Sequence, residues 1–136
     1  LLKVTEAAAH IPLTAAGCEA LLGDVIQAGD IVLCTNADWA SRAAGAEAWP
    51  SLSPASAHWF LDRRVKMVGI DNYFRLGLDI PMTREVHDVL MSREVCFVEF
   101  LDHLDDLTQR VFYFLALPFK VASDSGWARA VAIEAR

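Results

Sequence analysis

The residues best equipped for chemistry fall in one stretch, Thr83–Leu107, which reads TREVHDVLMSREVCFVEFLDHLDDL. His87 precedes Glu99 by twelve positions, and Glu99 interrupts an apolar run made of Val95, Cys96, Phe97, Val98, Phe100 and Leu101. An imidazole nitrogen and a carboxylate oxygen are two of the donors that a first-row divalent ion takes, and the same two groups can move protons. A carboxylate among apolar neighbours is costly to bury unless something pairs with it, which is the physical reason to single out Glu99. Two donors do not close a coordination shell, so the pair is half of a metal site.

For these groups to meet, the chain must turn back on itself. The segment carrying His87 has the spacing of a helix over residues 84–92, and the segment carrying Glu99 reads as a strand over residues 95–99. A helix advances about 1.5 Å per residue and a strand about 3.3 Å. A reversal at Ser92–Glu94 therefore brings the two side chains to one place.

The rest of the chain alternates in the same way. Leu1–Val4 reads as a short strand, and Thr14 caps a helix running to about Ile26. Ile31–Thr35 (IVLCT) is an apolar strand of the fully buried type. Asn36–Pro50 is a loop or irregular helix carrying Trp39 and Trp49. Ser53-Pro54 opens a helix to about Arg64, and Val65–Ile70 is the next strand. Asn72–Pro81 is a loop, His103–Arg110 a polar turn, and Val111–Leu117 and Arg129–Ile133 are the closing strands. The expected fold class is α/β, a mixed buried sheet with flanking helices, in a single domain spanning residues 1–136.

Composition narrows the partners. Apolar residues make up 54% of the chain and the mean hydropathy is +0.30, ample material for a core. A net charge of −6 argues against nucleic acid, which needs clustered Lys and Arg. The one basic cluster, Arg63, Arg64 and Lys66, reads as a solvated helix end. No apolar run is long enough to cross a bilayer and no signal pattern opens the chain, so no membrane partner is expected. The three cysteines, Cys18, Cys34 and Cys96, read as buried thiols in a reducing compartment, which implies a cytoplasmic protein. The chain starts at Leu1 without an initiator methionine, as a mature product, a fragment, or part of something longer would.

The other polar candidates carry less. His103 reads as a surface residue, His58 as a helix-face residue, and His10 has no assignment. Asp71 ends a strand and either caps the following turn or orients a pocket loop. Trp39, Trp49 and Phe74 lie in loops where they either line an apolar ligand pocket or pack beneath the loop. Arg129 starts a strand and is placed to pair with Glu99, Asp71 or a substrate carboxylate. No G-x-S-x-G elbow, phosphate loop or G-x-G-x-x-G is present, and no cysteine has a base beside it.

Four stretches in order resemble the metal-dependent cyclase family, which includes kynurenine-formamidase-like and isatin-hydrolase-like enzymes. Gly29-Asp30-Ile31-Val32-Leu33 is similar to a strand start of that family. Leu52-Ser53-Pro54 with Ala57, Trp59, Phe60 and Leu61, then Val68-Gly69-Ile70-Asp71-Asn72, resembles a second block. His87 with Glu99-Phe100-Leu101 and Leu104 resembles a third. Leu117-Pro118-Phe119-Lys120 with Gly126 and Arg129–Ile133 resembles the closing block. The resemblance covers about Ala20–Glu134 but only the second half of the family's pattern. It implies a swivelling β/β/α cyclase-like fold, present in part, of which this chain is the C-terminal portion.

The family's metal signature, H-x-G-T-H-x-D followed by P-x-H, is absent from this sequence, and Trp127-Ala128 stands where the family has Ser-Pro. By the resemblance, His87 and Glu99 are catalytic and metal-binding, the metal is zinc or manganese, and the small-molecule substrate is an aromatic or cyclic amide; Trp39, Phe74 and Arg129 are the substrate-contact candidates by their positions in loops and at a strand start. The remaining ligands must then come from residues outside this chain or from a complementary chain, and a homo-oligomer is expected. The alternative is a non-catalytic cyclase-like scaffold or small-molecule-binding subunit without the metal centre.

Overall fold

Each of the longer helices begins where a side chain can satisfy its free amides. In the computed structural model, which describes residues 1–4 and 12–135, α1 spans Ala15–Leu22, α3 Pro54–Asp62 and α4 Ile80–Met91. Thr14 Oγ1 accepts from the Gly17 amide at 3.0 Å, and Asp79 Oδ1 accepts from the Met82 amide at 2.8 Å. Ser53 and Ser56 form a reciprocal capping box at the start of α3. Ser53 Oγ also donates to the Leu13 carbonyl at 2.5 Å, which ties α3 to the segment before α1. Ser53→Ala is expected to cost about 1–2 kcal/mol, read from the urea midpoint, because it removes both the cap and this tie.

Helix α4 starts four residues before the expected boundary. Asp79 serves as its N-cap and Pro81 sits in its first turn, where a missing N–H costs nothing. Helix α1 stops at Leu22 instead of continuing to Ile26, with Gly23 as its C-cap. The Asn36–Pro50 stretch holds a short helix, α2 (Trp39–Ala44), capped by Asp38, and a 3-10 turn at Ala46–Ala48.

The strands β1 (Leu2–Val4), β2 (Ile31–Asn36), β3 (Met67–Asp71) and β4 (Cys96–Leu101) form one parallel sheet in the order β1-β2-β3-β4. Gly69 sits opposite Leu33 and Val98 on this sheet, and a Cβ there would lie 2.5 Å from a Leu33 methyl and 2.8 Å from one of Leu101. The missing side chain is what lets those two leucines meet across β3.

On one face of the sheet, Val32, Cys34, Val68 and Ile70 pack under Leu22, Phe60, Val86 and Leu90 of the helices. On the other, Leu33, Leu101 and Leu104 receive Phe112, Phe114 and Ala130. The last two belong to β5 (Tyr113–Pro118) and β6 (Ala128–Ile133), an antiparallel hairpin that forms a second sheet instead of extending the first.

Two features depart from a uniformly buried sheet. Strand β4 is an edge with much of its surface exposed, and Cys96 is exposed with it, whereas Cys18 and Cys34 are buried as expected. The hairpin is apolar on both faces but covered on only one. An apolar run states what would gain from burial, not what is available to cover it.

Candidate metal site on helix α4 and strand β4

His87 and Glu99 face each other, with Nε2 and Oε1 3.7 Å apart. Two backbone features bring this about. The turn from α4 into β4 ends on Glu94 in the left-handed region (φ 62°), and the Val95 amide reaches back to the Leu90 carbonyl at 3.1 Å. In β4 the register then slips: Val98 pairs with Gly69 and Leu101 with Asp71, so Glu99 and Phe100 together oppose Ile70 alone. That is a β-bulge, with Phe100 held at φ 60°. For a bulky residue this conformation is strained by roughly 1–3 kcal/mol.

The imidazole is fixed at its other nitrogen. His87 Nδ1 lies 2.8 Å from the Thr83 carbonyl one turn earlier. A carbonyl only accepts, so Nδ1 carries the hydrogen and Nε2 of the neutral ring turns its lone pair toward Glu99. The ring also packs on Phe97, centroids 4.8 Å apart. A neutral Nε2 and a carboxylate oxygen are both acceptors, and neither can satisfy the other without a shared proton or cation. The pair can thus share a proton as an ion pair, or serve as one imidazole and one carboxylate ligand of a divalent ion, with the second nitrogen held by a carbonyl as metal-binding histidines usually are. Among the described residues no group of three or more His, Cys, Asp and Glu side chains converges, so no third donor of these types joins the pair there.

The apolar surroundings expected for Glu99 are not found. Its side chain is 36% exposed and that of His87 29%, because β4 is the edge of the sheet formed by the described residues. The three substrate-contact candidates also lie elsewhere. Phe74 is 3% exposed and belongs to the helix-side core. Trp39 projects from the start of α2 at 77% exposure. Arg129 sits on β6 opposite Leu117, exposed, and makes no ion pair with Glu99 or Asp71 among the described residues. His58 and His103 are exposed, as the sequence reading has them, and His10 lies outside the described residues.

The sequence reading missed a second polar cluster, at the C-terminal ends of β2 and β3. Asp71 is 5% exposed there and accepts from Thr35 Oγ1 at 2.5 Å and from the Tyr73 amide at 2.9 Å. Arg42, from α2, donates to Asp105 at 2.9 Å and to Thr35 at 3.3 Å, stands 3.8 Å from Asp71, and lies 4.7 Å over the Tyr73 ring. The signal for Asp71 was its place at a strand end. For Arg42 there was none, since it belongs to a helix of six residues inside an Ala-rich loop.

Burial pushes the Asp71 carboxyl above the usual carboxylate range, against the pull of Thr35, Tyr73 and Arg42. The hydrogen bond from Arg42 holds Asp105 below it. The folded chain thus keeps a proton on Asp71 that the unfolded chain has released. This contribution to stability is present below the unfolded value of about 3.9 and is lost as pH rises through the higher folded value. Asp71→Asn is expected to remove that decline, measured as the difference between urea-midpoint profiles of the two proteins above pH 4. Burial also raises the Cys18 thiol to about 12 and lifts Cys34 further, which leaves neither as a nucleophile.

The profile of the family described as "Putative cyclase" matches residues 1–74, more than half of the chain. The chain belongs to this family. Solved structures show the cyclase-like fold along almost all of it. A potential metal-dependent hydrolase with cyclase activity superimposes with a TM-score of 0.68 at 23% identity over 96% of this chain and 62% of its own. A predicted metal-dependent hydrolase from Bacillus stearothermophilus gives 0.70 at 24%, over 96% and 61%. An isatin hydrolase bound to the product analogue thioisatinate gives 0.69 at 23%, over 96% and 58%. This cyclase-family chain therefore spans about three fifths of the length of those structures. Comparison with curated proteins gives no match. The swivelling cyclase-like fold is thus present in part, and His87 and Glu99 lie beyond the matched segment but within the superimposed fold.

Proposed function

We propose that this chain is part of a metal-dependent hydrolase of the cyclase family, in which His87 Nε2 and Glu99 Oε1 supply two ligands to one divalent ion, zinc or manganese. The observation that carries this reading is the 3.7 Å approach of two acceptors whose mutual repulsion only a proton or cation relieves. When bound, such an ion lowers the pKa of water and polarises a carbonyl. The Thr83 carbonyl keeps the hydrogen on Nδ1, and Phe97 limits rotation of the ring, so His87 meets a ligand with one nitrogen only. Glu99, half open to solvent on the edge strand, is placed to hold the ion or to take a proton beside it.

The remaining ligands would come from polypeptide outside this chain, in agreement with the greater length of the solved structures. The substrate class we propose is a small aromatic or cyclic amide, by likeness to the isatin hydrolase. A cytoplasmic location belongs to the same proposal, supported by the buried free thiols Cys18 and Cys34. No helix of the described residues is long and apolar enough to cross a membrane.

The test is a panel of small formamides and lactams presented to the chain alone and to the longest natural polypeptide that contains it, with and without chelator. Turnover by the longer polypeptide that stops with chelator and returns with zinc or manganese supports the reading. Turnover indifferent to chelator and to His87→Ala sinks it, and binding of such compounds without turnover favours the scaffold alternative.

A further inference from the structure

We propose, resting on the reading of His87 and Glu99 as metal ligands, that Arg42 is a positioning residue for that pair. Its guanidinium clasps the chain just beyond the β4 bulge and so keeps the Glu99 carboxylate turned toward the imidazole. Phe97 packs on the helix side of the sheet against His87, whereas Val98 joins the cluster on the hairpin side. Strict alternation would then return Glu99 and Leu101 together to the helix side. Leu101 packs instead with Leu33 and Leu104 on the hairpin side, because one extra residue, Phe100, is inserted before it. The bulge is thus what allows Glu99 to face His87 while Leu101 stays buried.

Phe100 does not hold this shape by itself. It takes φ 60° with its side chain 77% exposed, so the strain of a left-handed phenylalanine is offset by little packing of its own. The restraint lies at the two ends of the bulge. Before it, Val98 pairs with Gly69 inside the sheet. After it, Leu101 pairs with Asp71, and Arg42 reaches both strands at that step. Its guanidinium stands 3.8 Å from Asp71 on β3 and donates at 2.9 Å to Asp105, four residues beyond Leu101. Nε donates to the Asn36 carbonyl at 2.5 Å and an Nη to Thr35 at 3.3 Å, which anchors the clasp on β2. One side chain, 10% exposed, thus joins the C-terminal ends of β2 and β3 to the turn that leaves β4. Asp105 is 57% exposed, and such a pair contributes little to stability, so what its contact with Arg42 supplies is location. Released there, the turn can move and the extra residue can relax toward an ordinary strand conformation, which swings Glu99 away from His87.

Proton NMR of the 136-residue chain tests this, first without metal. The parent chain should show a strong amide–Hα Overhauser effect within Phe100, which requires positive φ, and one between the His87 ring and the Glu99 γ-methylene. Arg42→Met keeps the stem and removes the guanidinium, and it should weaken both by about half as the bulge becomes one of two comparable populations. Manganese(II) should then be needed at about tenfold higher concentration to broaden His87, the lower end of what losing an outer support costs a metal ligand. In Glu99→Gln the same substitution should add nothing, because no carboxylate is left to place. Asp105→Asn should act in the same direction by several-fold, and it stands in if Arg42→Met fails to fold. Asp106→Asn removes an equal charge from the same turn, but from a residue that pairs with His103, and Ser53→Ala weakens the fold elsewhere. Neither should move any of these signals. Unchanged Overhauser effects in a folded Arg42→Met overturn the proposal, as does an equal loss in Ser53→Ala or Asp106→Asn. So does an unchanged manganese requirement when His87 of the parent chain broadens. If manganese broadens His87 in none of the chains while the Overhauser effects still fall in Arg42→Met, the metal reading fails and the placing of Glu99 by Arg42 stands.

Discussion

Manganese(II) titrated into the chain is expected to broaden the His87 ring resonances, and Glu99→Gln should raise the concentration needed by at least about tenfold. The size follows from the geometry. Nδ1 is committed to the Thr83 carbonyl, so the ring offers Nε2 alone, and the carboxylate 3.7 Å away is the second donor within reach. An amide in place of Glu99 keeps the shape and deletes the charge. Losing a mere hydrogen-bond partner of a metal-binding histidine costs 10- to 100-fold in affinity, and loss of a ligand should cost no less.

His103 supplies the internal control, because its contacts with Asp102 and Asp106 lie on the exposed turn after β4 and do not involve Glu99. Its broadening should be the same in both proteins. Binding by the chain alone should nevertheless be weak, since two ligands leave the coordination shell open. Calorimetry that finds tight, stoichiometric zinc or manganese binding to the isolated chain would contradict the two-ligand site, and equal broadening of His87 with and without Glu99 would remove Glu99 from it.

Phe60→Ala is expected to cost about 3–5 kcal/mol, a large fraction of the stability of any domain of this size. Phe60 is fully buried on α3, against the edge of the Trp59 ring and within the cluster that joins three helices to one face of the parallel sheet. Its carbonyl also accepts the Val65 amide at 3.0 Å, in the turn that hands α3 over to β3, so the backbone cannot easily close on the cavity. The measurement is the urea midpoint with the slope m held common. A loss below about 1 kcal/mol would mean that the helix layer collapses onto the vacancy and that the core is far more plastic than close packing implies.

Helix starts were legible in the sequence wherever a side chain does the capping. Thr14 and Ser53 sit where the sequence reading puts them, because a hydroxyl before an apolar-periodic run has a local reason to be there. The start of α4 was misplaced because Pro81 was read as the end of a loop. Its fixed backbone suits the first helical turn equally well, and Asp79 was the signal for that. The meeting of His87 and Glu99 was foreseeable from element lengths, but the β-bulge at Glu99 and Phe100 that takes part in it was not. Nor was their exposure, because a single strand does not reveal whether it will be an edge. The same ignorance placed Val111–Leu117 among buried strands. Arg42 and Asp71 were invisible as a pair because they are 29 positions apart and are joined only when α2 folds back over the ends of β2 and β3.

His87 and Glu99 stand outside both apolar clusters, one on the half-open side of α4 and the other on a bulge at the margin of the sheet. Few of the contacts that make this polypeptide fold pass through either of them. Both side chains can therefore be exchanged with little consequence for the scaffold, so whatever chemistry they perform is separable from the contacts that hold the fold.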